Sequence, residues 1–536
     1  MYTEYTRLSE LEKVALNISM FKAYDIRTRS TVLTPALAQR LLGSVGRYFQ
    51  EVLKVSSVVL GRDARLAGPA LLELAVETFS EMGMEVLVNP LQISTSQFYY
   101  GCMKSPHAAA VMFTASHNPG QYIGMKLMAP GMQTLAMGNG PLGGIGCIRE
   151  FYIEGKAQRV SVVRGKVVIA RYLDEFIDYS MRLAGVDKGS LCGVSILTDY
   201  LCGAAGTETT EALGFAGATL RVRNLVPDGF FPIGDPNPIV QKSIQPTWDL
   251  MRKEAFDFGF AYDGDGDRMD IMNSKGEQLA PSFNLSLLVS EITSYFKGVY
   301  DAGFFAGGTG SPWKPHMYYD VKANPLSVVD QAQRGIGVHI IRNGHSFIKE
   351  ALRQNMKGQY LVASEESAHY YMNFPYDLDD FSKGFAATEN TLYFTLLTAK
   401  KWASDPKAYE DAFRLQGQIY REREWPCHFF TESLMEPVMR EVEHSFAQQG
   451  LSVFKKMEDG SDLDATLMRM GLPELIDETT CLNGDWLQVA QRISRSEEGM
   501  TRWEVASSSP QRCEDAVRRI RGITDKYVRS GDAEYL

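Results

Sequence analysis

Cysteine is scarce in this sequence: seven residues in 536 (Cys102, Cys147, Cys192, Cys202, Cys427, Cys481 and Cys513), scattered, odd in number and never in a C-x-x-C pair. This argues against a zinc ribbon and a disulfide framework, and a reducing, cytoplasmic location is expected. No uncharged apolar run reaches about 18 residues, so no membrane span is expected. The opening stretch MYTEYTRLSELEKVALNISMF interleaves acids with bases and has no apolar segment of signal-peptide type. Basic charge is not in excess either: 55 Lys and Arg face 65 Asp and Glu, a formal net charge of -10. That balance argues against nucleic acid or an anionic membrane surface as the main partner. If the ligand is itself anionic, basic residues must be gathered locally against the average.

What is present reads as a soluble globular chain, 45% hydrophobic and 22% charged. At 536 residues it is too long for one ordinary core, and roughly three or four domains are expected. Thr34-Pro35 reads as an N-cap with proline at the first helical position, followed by Leu37, Leu41, Leu42, Val45, Phe49 and Val52 at helical spacing. Then come the strand SVVLGRD, a helix in ALLELAVETFSEMG closed by Gly83, a strand in MEVLV and the strand before Ser116. The same grammar restarts in VSILTDYLCGAAGTETTEALGF, in FDFGFAYDGDGDRMDIMNSKGEQL and from NLSLLVSEITSYF to GQYLVASEES. Strands alternating with helices imply crossover units and parallel or mixed sheets. After about residue 410 charge rises and glycine thins, which marks a separate C-terminal domain. The glycine-rich segment 131–146 reads as a mobile loop and 306–315 as another irregular insertion.

The polar clusters fall where strands run out, as ligand-binding residues do in open α/β sheets. In DGDGDR (263–268), Asp263, Asp265 and Asp267 alternate after an apolar strand. Three carboxylates so close repel one another unless a cation lies among them, and oxygen ligands suit magnesium. A calcium loop of EF-hand type fails, because Arg268 stands where it needs glycine and Ser274 where it needs glutamate. A solvated acidic turn is the bland alternative. In VMFTASHNPGQYIGMK (111–126), a Ser116-His117 pair closes a buried strand and Lys126 brings back a cation. Such a turn is often merely structural, but a serine carrying phosphate would need such neighbours. RNGHSFIK (342–349) and SEESAHYY (364–371) place His345, Glu365, Ser367 and His369 in loops suited to a polyhydroxyl ligand, or merely to the surface. In RISRSE (492–497), Arg492, Ser494 and Ser496 alternate along a segment that could hold phosphate.

Taken together, eight motifs in one order resemble the α-D-phosphohexomutases, most closely their phosphomannomutase/phosphoglucomutase branch. They are FKAYDIR (21–27), GRDAR (61–65), TASHNP (114–119), PDGFFPIGDPNP (227–238), DGDGDR (263–268), YDVKAN (319–324), GHSFIK (344–349) and EESAHYY (365–371). The resemblance implies four domains around a central cleft: three α/β domains with mixed sheets (1–165, 166–280, 281–410) and a smaller C-terminal α+β domain (411–536). It implies that Ser116 is a phosphoserine and that its phosphate, with Asp263, Asp265 and Asp267, binds one Mg2+. Arg27, His117, Lys126 and Lys322 match positions lining the reaction centre, Lys126 and Lys322 as acid/base pair, with Arg268 steadying the transferring group. Gly344, His345, Glu365, Ser367 and His369 match sugar-recognition positions, and Arg492, Ser494 and Ser496 the phosphate loop. The activity implied is transfer between C1 and C6 of mannose and glucose phosphates through a 1,6-bisphosphate, which also serves as activator. A monomer or dimer is expected, with a phosphosugar as partner and neither nucleic acid nor membrane.

Four departures from the family pattern stand out. Thr28 and Ala368 replace glycine, as does Ser364, and Ile123 stands where asparagine would put a polar group beside the reaction centre. Phosphoglucosamine mutase, a weakly active sugar-phosphate-binding regulator and a phosphatase are the alternative readings.

Overall fold

Leu41, Leu42, Val45 and Phe49 are each fully buried on the helix Pro35–Glu51, capped by the Thr34 hydroxyl at the amide of Leu37. Each such side chain contributes about 1.5–3 kcal/mol through burial. The helix packs on a sheet whose strands are the short apolar runs of the sequence, and that pattern repeats along the computed structural model. The model describes residues 15–155, 161–239, 241–304, 312–482, 484–494, 497 and 499–536. The chain forms two compact units: residues up to Gln278 with Met372–Ala403, and Leu279–Tyr371 with Ser404–Leu536.

In the first unit, a seven-stranded sheet runs Ile26–Arg29, Tyr122–Ala129, Ala109–Phe113, Ser57–Arg62, Glu85–Gln92 and Val167–Ile169, with Gln133–Thr134 beside Tyr122–Ala129. Ser57–Arg62 is parallel to both Glu85–Gln92 and Ala109–Phe113, while Ala109–Phe113 meets Tyr122–Ala129 antiparallel, so the sheet is mixed. Ala109–Phe113 is buried along its whole length, which is why it reads as an unbroken apolar run. A second sheet orders Met269–Asn273, Phe258–Tyr262, Ser195–Asp199 and Thr219–Arg223. The segment 372–403 belongs to this unit through specific contacts: Thr391 with Ser96, Thr395 with Tyr262, and Trp402 stacked on Phe258 at 4.6 Å.

The expected loop at 131–146 is instead packed. Met132, Leu135 and Ala136 are buried, Gln133–Thr134 joins the sheet, and the helix Ile145–Glu154 begins inside the segment. Its glycines serve the turns: Gly144 takes φ 56°, and a Cβ there would lie 1.9 Å from the Asn139 carbonyl oxygen.

In the second unit, His316–Asp320 lies parallel to Gly337–Ile341 and Tyr360–Glu365. The C-terminal part, whose strands the sequence leaves indistinct, is a six-stranded sheet in the order Ser452–Lys456, Asp462–Met470, Leu487–Ile493, Met500–Ser507, Tyr420–Phe429 and Ala533–Tyr535. The helices Met435–Ala447 and Pro510–Ser530 cover a core of Val438, Val442, Val489, Trp503, Val505 and Ile520. No described helix is long and apolar enough to cross a membrane.

Candidate active site

The strand Ala109–Phe113 delivers Ser116 into a buried turn with φ 51°, the left-handed region where non-glycine residues are strained. The Ser116 amide donates to Thr114 Oγ1 at 2.9 Å. Ser116 Oγ lies 3.1 Å from His117 Nδ1 and donates to Asp263 Oδ2 at 3.2 Å. Arg27, paired with Asp25, donates to Asn118 Oδ1 at 2.6 Å and so reaches the same turn.

The acidic loop follows the strand Phe258–Tyr262. One oxygen from each of Asp263, Asp265 and Asp267 lies within 4.8 Å of the others, and all three residues are buried. Asp263 Oδ1 accepts the amides of Asp267 and Arg268 at 3.1 and 3.2 Å. Two glycines bring this loop against its neighbours: a Cβ at Gly264 would lie 2.8 Å from the Ser116 carbonyl oxygen, and one at Gly266 2.6 Å from Ala205 Cβ. Lys126 bonds Asp265 Oδ2 at 2.7 Å and also pairs with Asp267, while Arg268 Nε stands 3.6 Å from Asp263. Burial alone would depress the Lys126 ammonium, but Asp265 and Asp267 outweigh it and hold its pKa well above the ordinary lysine value. Thr95 Oγ1 donates to Asp265 Oδ2 at 2.6 Å, leaving Asp265 Oδ1 buried without a hydrogen-bond partner. Three converging carboxylates, with a buried Asp265 oxygen left without a hydrogen-bond partner, fit a divalent cation of magnesium type.

Arg65, contributed by the GRDAR motif, is fully buried and not among the expected site residues. Its Nε donates to Asp63 at 3.2 Å. Its terminal nitrogens donate to four carbonyl oxygens of the serine turn: Pro119 at 2.8 Å, Tyr122 at 2.9 Å, Ser116 at 2.7 Å and Asn118 at 2.6 Å. Ile123 does not face this centre. Lys126 and Gly124 share one face of the strand Tyr122–Ala129, whereas Ile123, Met125 and Leu127 point into the apolar core. Thr28 accepts a hydrogen bond from Asn17 at 2.9 Å.

In the second unit, Glu365 and His369 are not loop residues: Glu365 ends the strand Tyr360–Glu365 and His369 begins His369–Pro375. Ser367 sits half-buried in the turn between them. Glu365 accepts Asn343 Nδ2 at 3.0 Å and the Tyr371 hydroxyl at 2.9 Å. Burial would raise this carboxyl, but His369, Lys322 and the two hydrogen bonds hold it below its ordinary value. Gly344, at φ 121°, caps the helix His345–Asn355 and presents His345 at its first position. Lys322 stands 3.1 Å from Glu424 and 3.7 Å from Asp320. Glu424 also accepts Arg492 at 2.6 Å and lies 3.3 Å from Arg502. Ser494 donates to Glu497 at 3.1 Å; Ser496 lies outside the described residues. Arg65, Thr95, Glu424 and Arg502 are among the partners absent from the sequence-based expectation, and of these four only Arg65 lies inside a quoted motif.

Two family models match the chain: phosphoglucomutase/phosphomannomutase alpha/beta/alpha domain I over residues 19–136, and domain II over 170–276. A phosphomannomutase of Escherichia coli (strain K12) is 26% identical over 452 residues, 81% of this chain and 88% of that protein. Among solved structures, a phosphoglucomutase/phosphomannomutase family protein from Burkholderia thailandensis superposes with a TM-score of 0.71 at 18% identity, over 97% of this chain and 99% of that one. An Aspergillus fumigatus N-acetylphosphoglucosamine mutase, in complex with GlcNAc-6P and magnesium, superposes at 0.51 with 12% identity, over 97% and 99% of the two chains.

Proposed function

Because the chain belongs to the α-D-phosphohexomutase superfamily, we propose that it moves a phosphoryl group reversibly between C1 and C6 of mannose and glucose phosphates. The observation that carries this is the meeting of Ser116 with the acidic loop: a strained serine hydroxyl 3.2 Å from one of three buried carboxylates, with Lys126 across the other two.

In this scheme phospho-Ser116 is the donor. Its Oγ–P bond breaks as the free sugar hydroxyl bonds to phosphorus; the Lys126 ammonium gives a proton to the departing Ser116 Oγ, and the hydroxyl proton passes to the lysine nitrogen so freed, with Lys322 as the second acid/base group. The 1,6-bisphosphate then turns over, Ser116 Oγ takes the other phosphoryl group, and a lysine ammonium protonates the sugar oxygen left behind, taking the serine proton in exchange. Arg268 and His117 flank the transferring group, and Arg27 orders the turn through Asn118. Arg492 and Ser494 hold the distal phosphate, while His345, Glu365, Ser367 and His369 read the sugar hydroxyls. Asp263, Asp265, Asp267 and the Ser116 phosphate would hold Mg2+, which supplies charge neutralisation at the transferring phosphate. The left-handed turn keeps Ser116 Oγ aimed at this cluster, so orientation is settled before substrate arrives.

The test is a coupled assay with mannose 1-phosphate, glucose 1-phosphate and glucosamine 1-phosphate, magnesium and a trace of glucose 1,6-bisphosphate. We expect turnover with the first two, reduced at least about 10³-fold by Ser116→Ala. Retention of the rate in that variant would remove the phosphoserine scheme. Free phosphate in place of a 6-phosphate product would make the protein a phosphatase.

A further inference from the structure

Arg492 and Arg502 face each other directly across the antiparallel pair Leu487–Ile493 and Met500–Ser507. Like charges in that relation repel unless an anion lies between them. Here the anion belongs to the chain. One oxygen of Glu424, Oε1, is shared by Arg492 at 2.6 Å and Arg502 at 3.3 Å, and its other oxygen lies 3.1 Å from Lys322 Nζ. Glu497 takes the rest of Arg502 at 2.6 Å and the Ser494 hydroxyl at 3.1 Å. Three cations thus converge on a single carboxylate, with the arginine side chains about one-fifth exposed and Glu424 14% exposed, so a ligand can reach them. Arg502 Nε is buried and has no hydrogen-bond partner. Charge-assisted donors in a fixed fork, beside a lysine, suit a phosphate dianion better than one carboxylate, since phosphate offers more acceptor oxygens and more charge.

We propose that Arg502 is part of the phosphate cradle with Arg492, and that Glu424 is the cradle's own counter-anion, which an incoming phosphate displaces. The idea rests on the mutase reading for its ligand and goes beyond it in making the resting site self-neutralised. Glu424 keeps two opposed arginines and a lysine compatible in the empty site. The same contact sets a threshold, because only a ligand of higher charge or better fit competes with it. Displacement also takes Glu424 from Lys322 and leaves that lysine with Asp320 at 3.7 Å, so phosphate capture and the loosening of a candidate acid/base group become one event.

The experiment is a titration of the full-length protein with inorganic phosphate at constant ionic strength, followed by calorimetry and by tryptophan fluorescence. Trp425 and Trp503 pair across strands beside Glu424 and Arg502, with ring centroids 6.4 Å apart. We expect Glu424→Gln to bind phosphate about tenfold more tightly than the unaltered chain, and Arg502→Gln about tenfold more weakly. Glu424→Asp, too short to reach all three cations, should fall between the unaltered chain and Glu424→Gln, and it carries the test if the glutamine variant does not fold. An affinity in Glu424→Gln equal to or weaker than that of the unaltered chain would make Glu424 a structural strut and overturn the proposal. So would an Arg502→Gln variant with unchanged affinity. The titration needs no turnover: the expected ranking without mutase activity keeps the counter-anion and removes the mutase reading. Turnover without the ranking does the reverse. Where turnover is present, Glu424→Gln should lower KM for glucose 1-phosphate by a similar factor, a change that loss of a strut would not produce.

Discussion

A guanidinium whose terminal nitrogens bind four carbonyl oxygens of one short stretch constrains the serine within it more strongly than the serine's own hydrogen bonds do. Arg65 touches Ser116 only at its carbonyl oxygen, so it is a positioning residue. Lysine could balance Asp63 but has no fork to span four carbonyls. We therefore expect Arg65→Lys to lower kcat about 100-fold with a smaller change in KM, read in the coupled assay, since a displacement of about 1 Å at the reacting atom has that effect. A variant with unaltered kcat would reduce Arg65 to a packing residue. Glu208 gives a second test at this scale. It is 3% exposed, in the first turn of the helix Gly206–Phe215. Burial pushes its carboxyl up to about 7 against a weaker opposing hydrogen bond from Ser94. The folded state therefore binds the proton more tightly than the unfolded one, so this group's contribution is fully present below pH 4.5 and is lost as pH rises to about 7. Glu208→Gln should be more stable than the unaltered chain at pH 8 by about 3 kcal/mol and not at pH 4, measured by denaturant unfolding. Equal stabilities at pH 8 would refute the assignment.

Between strands, the turn at Ser367 and Ala368 shows what a departure from glycine does and does not change. Ala368 is fully buried at φ 73°, so the backbone keeps the left-handed conformation that glycine adopts freely. Ala368→Gly should raise stability by about 1 kcal/mol, checked by thermal unfolding, and a loss of stability would mean that packing of the methyl outweighs the strain. The legibility of the chain also divides by element. Ala109–Phe113 and Phe258–Tyr262 are buried on both faces and announce themselves as apolar runs, and the polar residues after them were found for that reason. Tyr420–Phe429 carries four charged residues in its first half and is only partly buried, so nothing in its spelling marks a strand. Glu424 was invisible for a further reason: its partner Arg492 is 68 residues away, and only the pairing of antiparallel strands brings them together. The packed segment 131–146 was misread because its glycines serve tight approaches as readily as they would serve a loop. Ile123 was misplaced because sequence neighbours on a strand face opposite ways.

At the scale of the molecule, the unit that holds Ser116 and the acidic loop is built from two separate stretches of chain. Residues 372–403 supply Trp402 against Phe258 and Thr391 and Thr395 at Ser96 and Tyr262. A fragment ending at Gln278 should therefore lack a cooperative thermal transition and bind a dye for exposed apolar surface. One that unfolds like the unit within the whole chain would show that the second stretch is dispensable. This division has a temporal side. During synthesis the first 278 residues emerge long before Ala403 is added, and at about 5–20 residues per second the wait is about 6 to 25 s. Over that interval Phe258 lacks Trp402 and Tyr262 lacks Thr395, so the nascent chain is a client for whatever shields apolar surface at the ribosome. The unit bearing Ser116 is finished only once Ala403 has been added.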